Sequence, residues 1–139
     1  MTTDTGVQAL GQQSWRFAVS GVLGLLVDTA ALYLLMFLGL GFAVARGLSF
    51  VAAATFTWWF NRRYTFGGAA AIPPSWREWG RYLVAMGLGG LVNYGVSRWS
   101  HQLFELVRAW PVVALALGSA AGMVFNFFSA RYLLFRATR

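Results

Sequence analysis

The chain contains no cysteine, and its 139 residues include one histidine and four acidic side chains. Disulfides, thiolate catalysis and cysteine-based metal sites are therefore excluded, and His101 alone cannot build a metal centre. Carboxylate pairing is also missing. Asp28 has no second acid at a useful spacing, and Glu78 and Glu105 fall in opposite predicted loops. Lysine is absent as well, so Gly87-Leu88-Gly89-Gly90, which lies within an apolar run and has no lysine after it, is no phosphate loop. These gaps leave no catalytic residues, no metal site and no cofactor motif, and they point away from an enzyme. Charged residues make up 11% of the chain, roughly half the share of an ordinary soluble domain.

What is present is apolar and arginine-rich. Hydrophobic residues account for 58% of the chain, and the formal net charge is +7, with every basic residue an arginine. Clustered arginines can neutralise nucleic-acid phosphates, but here they stand at the edges of apolar runs, as membrane-surface anchors do. Nucleic acid is accordingly excluded as a partner.

Four apolar runs are predicted to span a bilayer, each near the required length of about 20 residues. They are Phe17–Phe42, Val44–Phe60, Tyr82–Ser97 and Ala109–Ala130. The first is not read as a cleaved leader, because no basic segment precedes it and a related segment recurs later. Between the second and third runs, Gly67 to Pro74 contains helix breakers and forms the one clear linker. Four crossings place Arg16, Arg62, Arg63, Arg77, Arg81, Arg131, Arg136 and Arg139 on one side, and Arg46, Arg98 and Arg108 on the other. The excess of arginine predicts that this richer side, with both termini, is cytoplasmic. The seven tryptophans lie near predicted span ends, where amphipathic rings meet headgroups.

The chain also repeats itself. A shift of 65 residues lays Arg16-Phe17-Ala18-Val19 on Arg81-Tyr82-Leu83-Val84, and Gly24 to Asp28 on Gly89 to Asn93. A shift of 69 pairs Trp58 with Phe127, Arg62 with Arg131 and Phe66 with Phe135. The predicted fold is therefore an all-α membrane protein of four transmembrane helices, made from two parallel repeats of a two-helix hairpin. The single domain covers residues 1–139, with repeat one at about 14–66, a linker at 67–76 and repeat two at about 77–136.

Each predicted span carries a seam of small or polar residues. In the fourth, Ala114, Gly118, Gly122, Asn126 and Ala130 recur at every fourth position; the others offer Gly21, Gly24 and Asp28, then Ala53, Thr57 and Asn61, then Gly89, Asn93 and Ser97. Such seams suit a compact bundle and a homodimer. Asp28 sits near the middle of its run, where a charged carboxylate costs at least ~3 kcal/mol, so it should face a cavity or a partner, or stay protonated. It serves either as a helix–helix hydrogen bond, with Asn93 as a possible mate, or as a proton- or substrate-linked site. Asp28, Asn61, Asn93 and Asn126 together form the candidate intramembrane polar seam.

Arg16, Arg62, Arg63, Arg81 and Arg131 fall at the predicted cytoplasmic membrane face. Guanidinium groups bind phosphate oxygens bidentately, so such a ring suits a lipid phosphate or diphosphate headgroup. Topology and general attraction to anionic lipid would account for any one of them.

These residues together resemble the GtrA-like family of small four-span membrane proteins, whose members accompany polyprenyl-phosphate-dependent glycosylation of the cell envelope. The resemblance rests on Arg16-Phe17 with Gly21 and Asp28, Asn61-Arg62-Arg63-Tyr64-Thr65-Phe66, Arg81-Tyr82 with Asn93, and Asn126 to Arg131 with Phe135. It covers nearly the whole chain. The chain departs from symmetry where Thr57 occupies the place corresponding to Asn126, and the loop between the third and fourth runs is short.

The resemblance implies movement of a polyprenyl-phosphate-linked sugar, or of its lipid carrier, across the cytoplasmic (inner) membrane. On that reading the arginines hold the phosphate and the polar seam passes the headgroup. An alternative is a non-transporting anchor or adapter that recruits a membrane glycosyltransferase. A small proton-coupled multidrug exporter is a third reading, disfavoured because the arginines would repel cations.

Overall fold

The computed structural model describes residues 2–67 and 72–135, and among these the chain is helical with no strand. Four long helices follow in order: α1 (Thr2–Phe37), α2 (Phe42–Phe60), α3 (Trp76–Leu103) and α5 (Pro111–Ser129), with the single-turn α4 (Glu105–Ala109) before the last. A five-residue π-helical turn closes α2 at Asn61–Thr65, and another closes α5 at Ala130–Leu134.

The first run begins earlier than its apolar pattern predicted. Nothing between Thr2 and Trp15 breaks a helix, so α1 extends through this polar stretch to a total of 36 residues, or about 54 Å. Its other end is fixed by Gly39, whose φ of +91° is open to glycine at little cost. There the Leu40 amide donates to Leu35 O (3.1 Å) and the Gly39 amide to Met36 O (3.0 Å), closing the orphan carbonyls in a Schellman motif. The chain reverses within four residues, and α2 packs back along α1.

The start of α3 is written in Ser75-Trp76-Arg77-Glu78, preceded by Pro73-Pro74. Ser75 Oγ accepts the Glu78 amide at 3.1 Å, capping the helix. Glu78 and Glu105, predicted in loops, stand instead in the first turns of α3 and α4, where carboxylates suit a helix N-terminus. Pro111 opens α5, where its missing amide costs no hydrogen bond. Part of the predicted linker, residues 68–71, lies outside the described residues.

Among the described residues, two stretches, Gly6–Phe37 and Val113–Leu134, are long and apolar enough to cross a bilayer. Of the other two long helices, α2 is 19 residues long with Arg46 inside it, and α3 has Arg77, Glu78 and Arg81 at one end and Arg98 at the other. The side chains are arranged as lipid requires. Many large apolar residues point outward, Phe37 being 87% exposed and Leu133 74%, whereas most buried positions outside the aromatic residues Phe17, Phe66, Tyr82, Phe127 and Phe135 are small or polar, Ser20, Ala45, Ser49, Ala53, Ala114 and Ala130 among them. Helices in lipid gain no hydrophobic energy from one another, so small residues at the contact, allowing close backbones, take that role.

The chain forms two compact units, one reaching to Leu83 and including Phe135, the other Val84–Leu134.

Candidate functional site

In the first unit, polar chemistry gathers where α2 ends. The π-helical turn begins with Asn61, whose carbonyl accepts the Phe66 amide five residues on at 2.8 Å. The Asn61 side chain is fully buried and satisfied on both sides: its amide donates to the Tyr82 hydroxyl at 2.9 Å, and its oxygen accepts from Thr65 Oγ1 at 2.8 Å. Arg62 turns inward, forming an ion pair with Glu78 and donating to Ile72 O. Glu78 also accepts from Trp58 Nε1 at 2.8 Å. Only 8% of the Arg62 side chain and 18% of Glu78 is exposed, so this pair joins α2 to α3 inside the protein.

The other arginines at this end face outward. Arg16 is exposed and donates to Tyr64 O at 2.8 Å, linking α1 to the π turn. Arg63 is exposed, with its guanidinium 6.0 Å from the Tyr64 ring centre. Arg81 is exposed on α3 beside the buried Tyr82. Beneath them lies an aromatic cluster: Phe17 packs on Phe66 (6.4 Å between ring centres), Tyr82 on Phe135 (6.0 Å), and Phe66 stacks on Phe135 (5.2 Å).

Asp28 lies twelve residues along α1 from Arg16. Its carboxylate is held by Arg46 of α2, whose Nη1 donates to both oxygens at 2.6 Å and reaches Ser49 Oγ at 3.3 Å. The sequence reading placed Arg46 in the sparse outer group and considered Asn93 as a mate for Asp28; the structure gives the carboxylate to Arg46. The signal available was the lone arginine inside the neighbouring apolar run.

Between Val84 and Leu134, Asn93 and Asn126 sit in a glycine-lined helix contact. A Cβ at Gly118 would fall 1.9 Å from Ser97 Oγ and 2.4 Å from Asn93 O, and one at Gly122 would fall 2.8 Å from Gly89 O. Ser97 Oγ donates to Ala114 O at 2.9 Å, a side-chain bond between α3 and α5. Asn126 lies against Gly89, and its Oδ1 is buried without a hydrogen bond among the described residues. Arg131, half-buried, holds its guanidinium 5.5 Å from the Tyr132 ring centre.

Several features recur at the shifts of 65 and 69. Helices α2 and α5 have 19 residues each, with bounds 69 positions apart, and both pass into a π-helical turn. The contact of Gly24 with Thr57 has its counterpart in Gly89 with Asn126. The ring pair Phe17–Phe66 has its counterpart in Tyr82–Phe135. The charge pair does not recur: Asn93 and Leu115 occupy the places of Asp28 and Arg46.

Of the arginines singled out from sequence, Arg16, Arg62, Arg63 and Arg81 are brought to one end of the first unit, while Arg131 belongs to the second. Sequence reasoning put Glu78 in a loop and missed it as the partner of Arg62; the signal available was Ser75-Trp76-Arg77-Glu78, a serine followed three residues later by glutamate, which marks a helix start. Trp58, Trp79, Thr55 and Pro74 line an open cavity of about 390 Å³ nearby. Two of its indole N–H groups are engaged, Trp79 with Thr55 Oγ1 at 2.9 Å and Trp58 with Glu78. Among the described residues, no three His, Asp or Glu side chains come together as a metal site.

No curated protein matches the chain. The GtrA/DPMS transmembrane-domain family matches residues 16–135, from the first arginine of the site to the last ring of the aromatic cluster. The chain belongs to this family of membrane domains.

Proposed function

We propose that this GtrA/DPMS-family membrane protein translocates a polyprenyl-phosphate-linked sugar, or its lipid carrier, across the cytoplasmic membrane for cell-envelope glycosylation or polysaccharide synthesis. Family membership supports a role in lipid-linked sugar translocation. The observation that carries the reading further is the outward-facing set Arg16, Arg63 and Arg81 at one end of the first hairpin, above a buried aromatic and amide cluster. Exposed guanidinium groups at a membrane boundary can take a phosphate without breaking the fold. Arg62 has another part: paired with Glu78, it fixes α3 so that Arg81 stands beside the π turn.

The reading takes all four long helices as spans, in two parallel hairpins with both termini cytoplasmic. The recurrence of the helix bounds, the π turns and the glycine contact supports the duplication. Excess arginine on the side holding the termini supports the orientation. No residue is given a catalytic role, and the sugar is transferred to or from the lipid by a separate glycosyltransferase.

The test is a scrambling assay. Purified protein in liposomes carrying a labelled polyprenyl-phosphate sugar is compared with Arg16→Ala, Arg81→Ala and Asp28→Asn, following accessibility to an impermeant reagent. Wild type accelerates exchange, and the two arginine variants lose most of the acceleration while remaining folded. Folded wild type that gives no acceleration over protein-free liposomes refutes autonomous transport and favours a membrane anchor for the glycosyltransferase.

A further inference from the structure

We infer that Arg46 is a second phosphate-binding guanidinium, held on Asp28 when unoccupied and handed to a lipid phosphate by exchange. The inference rests on the translocation reading and adds a station to it. Three observations carry it.

The first is how incompletely the ion pair uses the arginine. Only Nη1 contacts Asp28 and Ser49; Nη2 and Nε make no hydrogen bond among the described residues, and 48% of the Arg46 side chain is exposed against 17% for Asp28. The Arg62–Glu78 pair is different, closed on both sides and buried. A phosphate ester presents the same pair of acceptor oxygens as a carboxylate, so it can engage the free edge of Arg46 before Asp28 lets go.

The second is location. Asp28 lies twelve residues from Arg16 along α1, roughly 18 Å at 1.5 Å per residue. Arg46 stands one turn into α2, on the side of the reversal at Gly39. The hairpin thus has guanidinium groups near both ends, separated by a large part of a hydrocarbon thickness of about 30 Å.

The third is asymmetry. The second hairpin holds Asn93 and Leu115 at the matching positions and still packs α3 against α5 through glycines and Ser97. A hairpin of this kind does not need a charge pair to close. The pair in the first hairpin therefore calls for a role other than packing, and an arginine with a displaceable counter-ion supplies one.

The experiment measures binding and flipping separately, on the full chain in lipid nanodiscs and liposomes. The binding probe is a short-chain polyprenyl monophosphate, with phosphatidylglycerol as the second arm. Asp28→Asn, which removes the competing carboxylate, should tighten polyprenyl-phosphate binding about tenfold, and Arg46→Gln in the same chain should abolish that gain. The double variant Asp28→Asn with Arg46→Gln leaves no unpaired charge, so it remains folded where Arg46→Gln alone does not, and it should flip at the protein-free rate. Equal tightening toward phosphatidylglycerol supports a phosphate station whose ligand is bulk lipid; tightening toward the polyprenyl phosphate alone supports a carrier-selective one. Unchanged binding by Asp28→Asn, or a double variant that flips like wild type, overturns the inference and leaves the pair as a helix staple. If wild type binds but does not flip, the translocation reading fails by itself, and the binding arm still decides the role of Arg46.

Discussion

Replacing Glu78 with glutamine keeps the side-chain shape and the hydrogen bond from Trp58 but removes the negative charge facing Arg62. With 8% of its side chain exposed, the guanidinium would then be buried with Ile72 O as acceptor and the amide NH2, itself a donor, facing it in place of a carboxylate oxygen. Breaking a buried pair by removing one partner costs about 3–5 kcal/mol, because the remaining charge has lost both water and counter-ion. At 1.4 kcal/mol per tenfold, that is a fall of roughly 10²–10⁴ in the folding equilibrium. In detergent, the Tm followed by tryptophan fluorescence should drop by about 10 °C, with loss of the ordered environment of Trp58. Arg81→Ala is the control: the side chain is exposed, and its removal should leave Tm unchanged. If Glu78→Gln melts with wild type, Arg62 is not held as described, and its assignment as a structural arginine is wrong.

Other substitutions probe the remaining contacts. Tyr82→Phe leaves the buried Asn61 amide without an acceptor and should cost about 1–3 kcal/mol, read as a lower Tm, whereas Tyr94→Phe on an exposed face of α3 should be neutral. Gly118→Ala drives a methyl group onto the Asn93 carbonyl and should cost about 1–3 kcal/mol by parting α3 from α5, while Gly90→Ala, which meets nothing within 4 Å, should be tolerated. Gly39→Ala should destabilise the first hairpin by about 1–2 kcal/mol, because its backbone is left-handed; thermal unfolding measures this too.

The apolar runs and their breakers made four long helices legible, but the reading began the third run at Tyr82, six residues inside α3, because apolar character alone does not mark the Ser75 cap or the polar first turn. The helix ends were less legible, because polar residues such as Gln8, Gln12 and Gln13 extend a helix once its apolar part has nucleated it. The glycine stripe of the fourth run was readable since spacing alone puts Gly118, Gly122 and Asn126 on one face. Charge partners were harder: Asp28 and Arg46 are 18 residues apart and Arg62 and Glu78 are 16 apart, so each pair depends on how the intervening turn folds back. Exposure divided the arginines into different kinds, and that division follows from packing rather than from residue type.

The two π-helical turns act as phase shifters. Each accommodates about one more residue than an α-turn would, so everything beyond it is rotated by about 100° relative to an uninterrupted helix. Phe66 and Phe135 stand just past these turns, and their stacking depends on both offsets. Excising a single residue from 61–65 would leave a regular α-helix of sound composition, yet it would swing Phe66 away from Phe17 and Phe135. A length change of one residue here is a change of bearing.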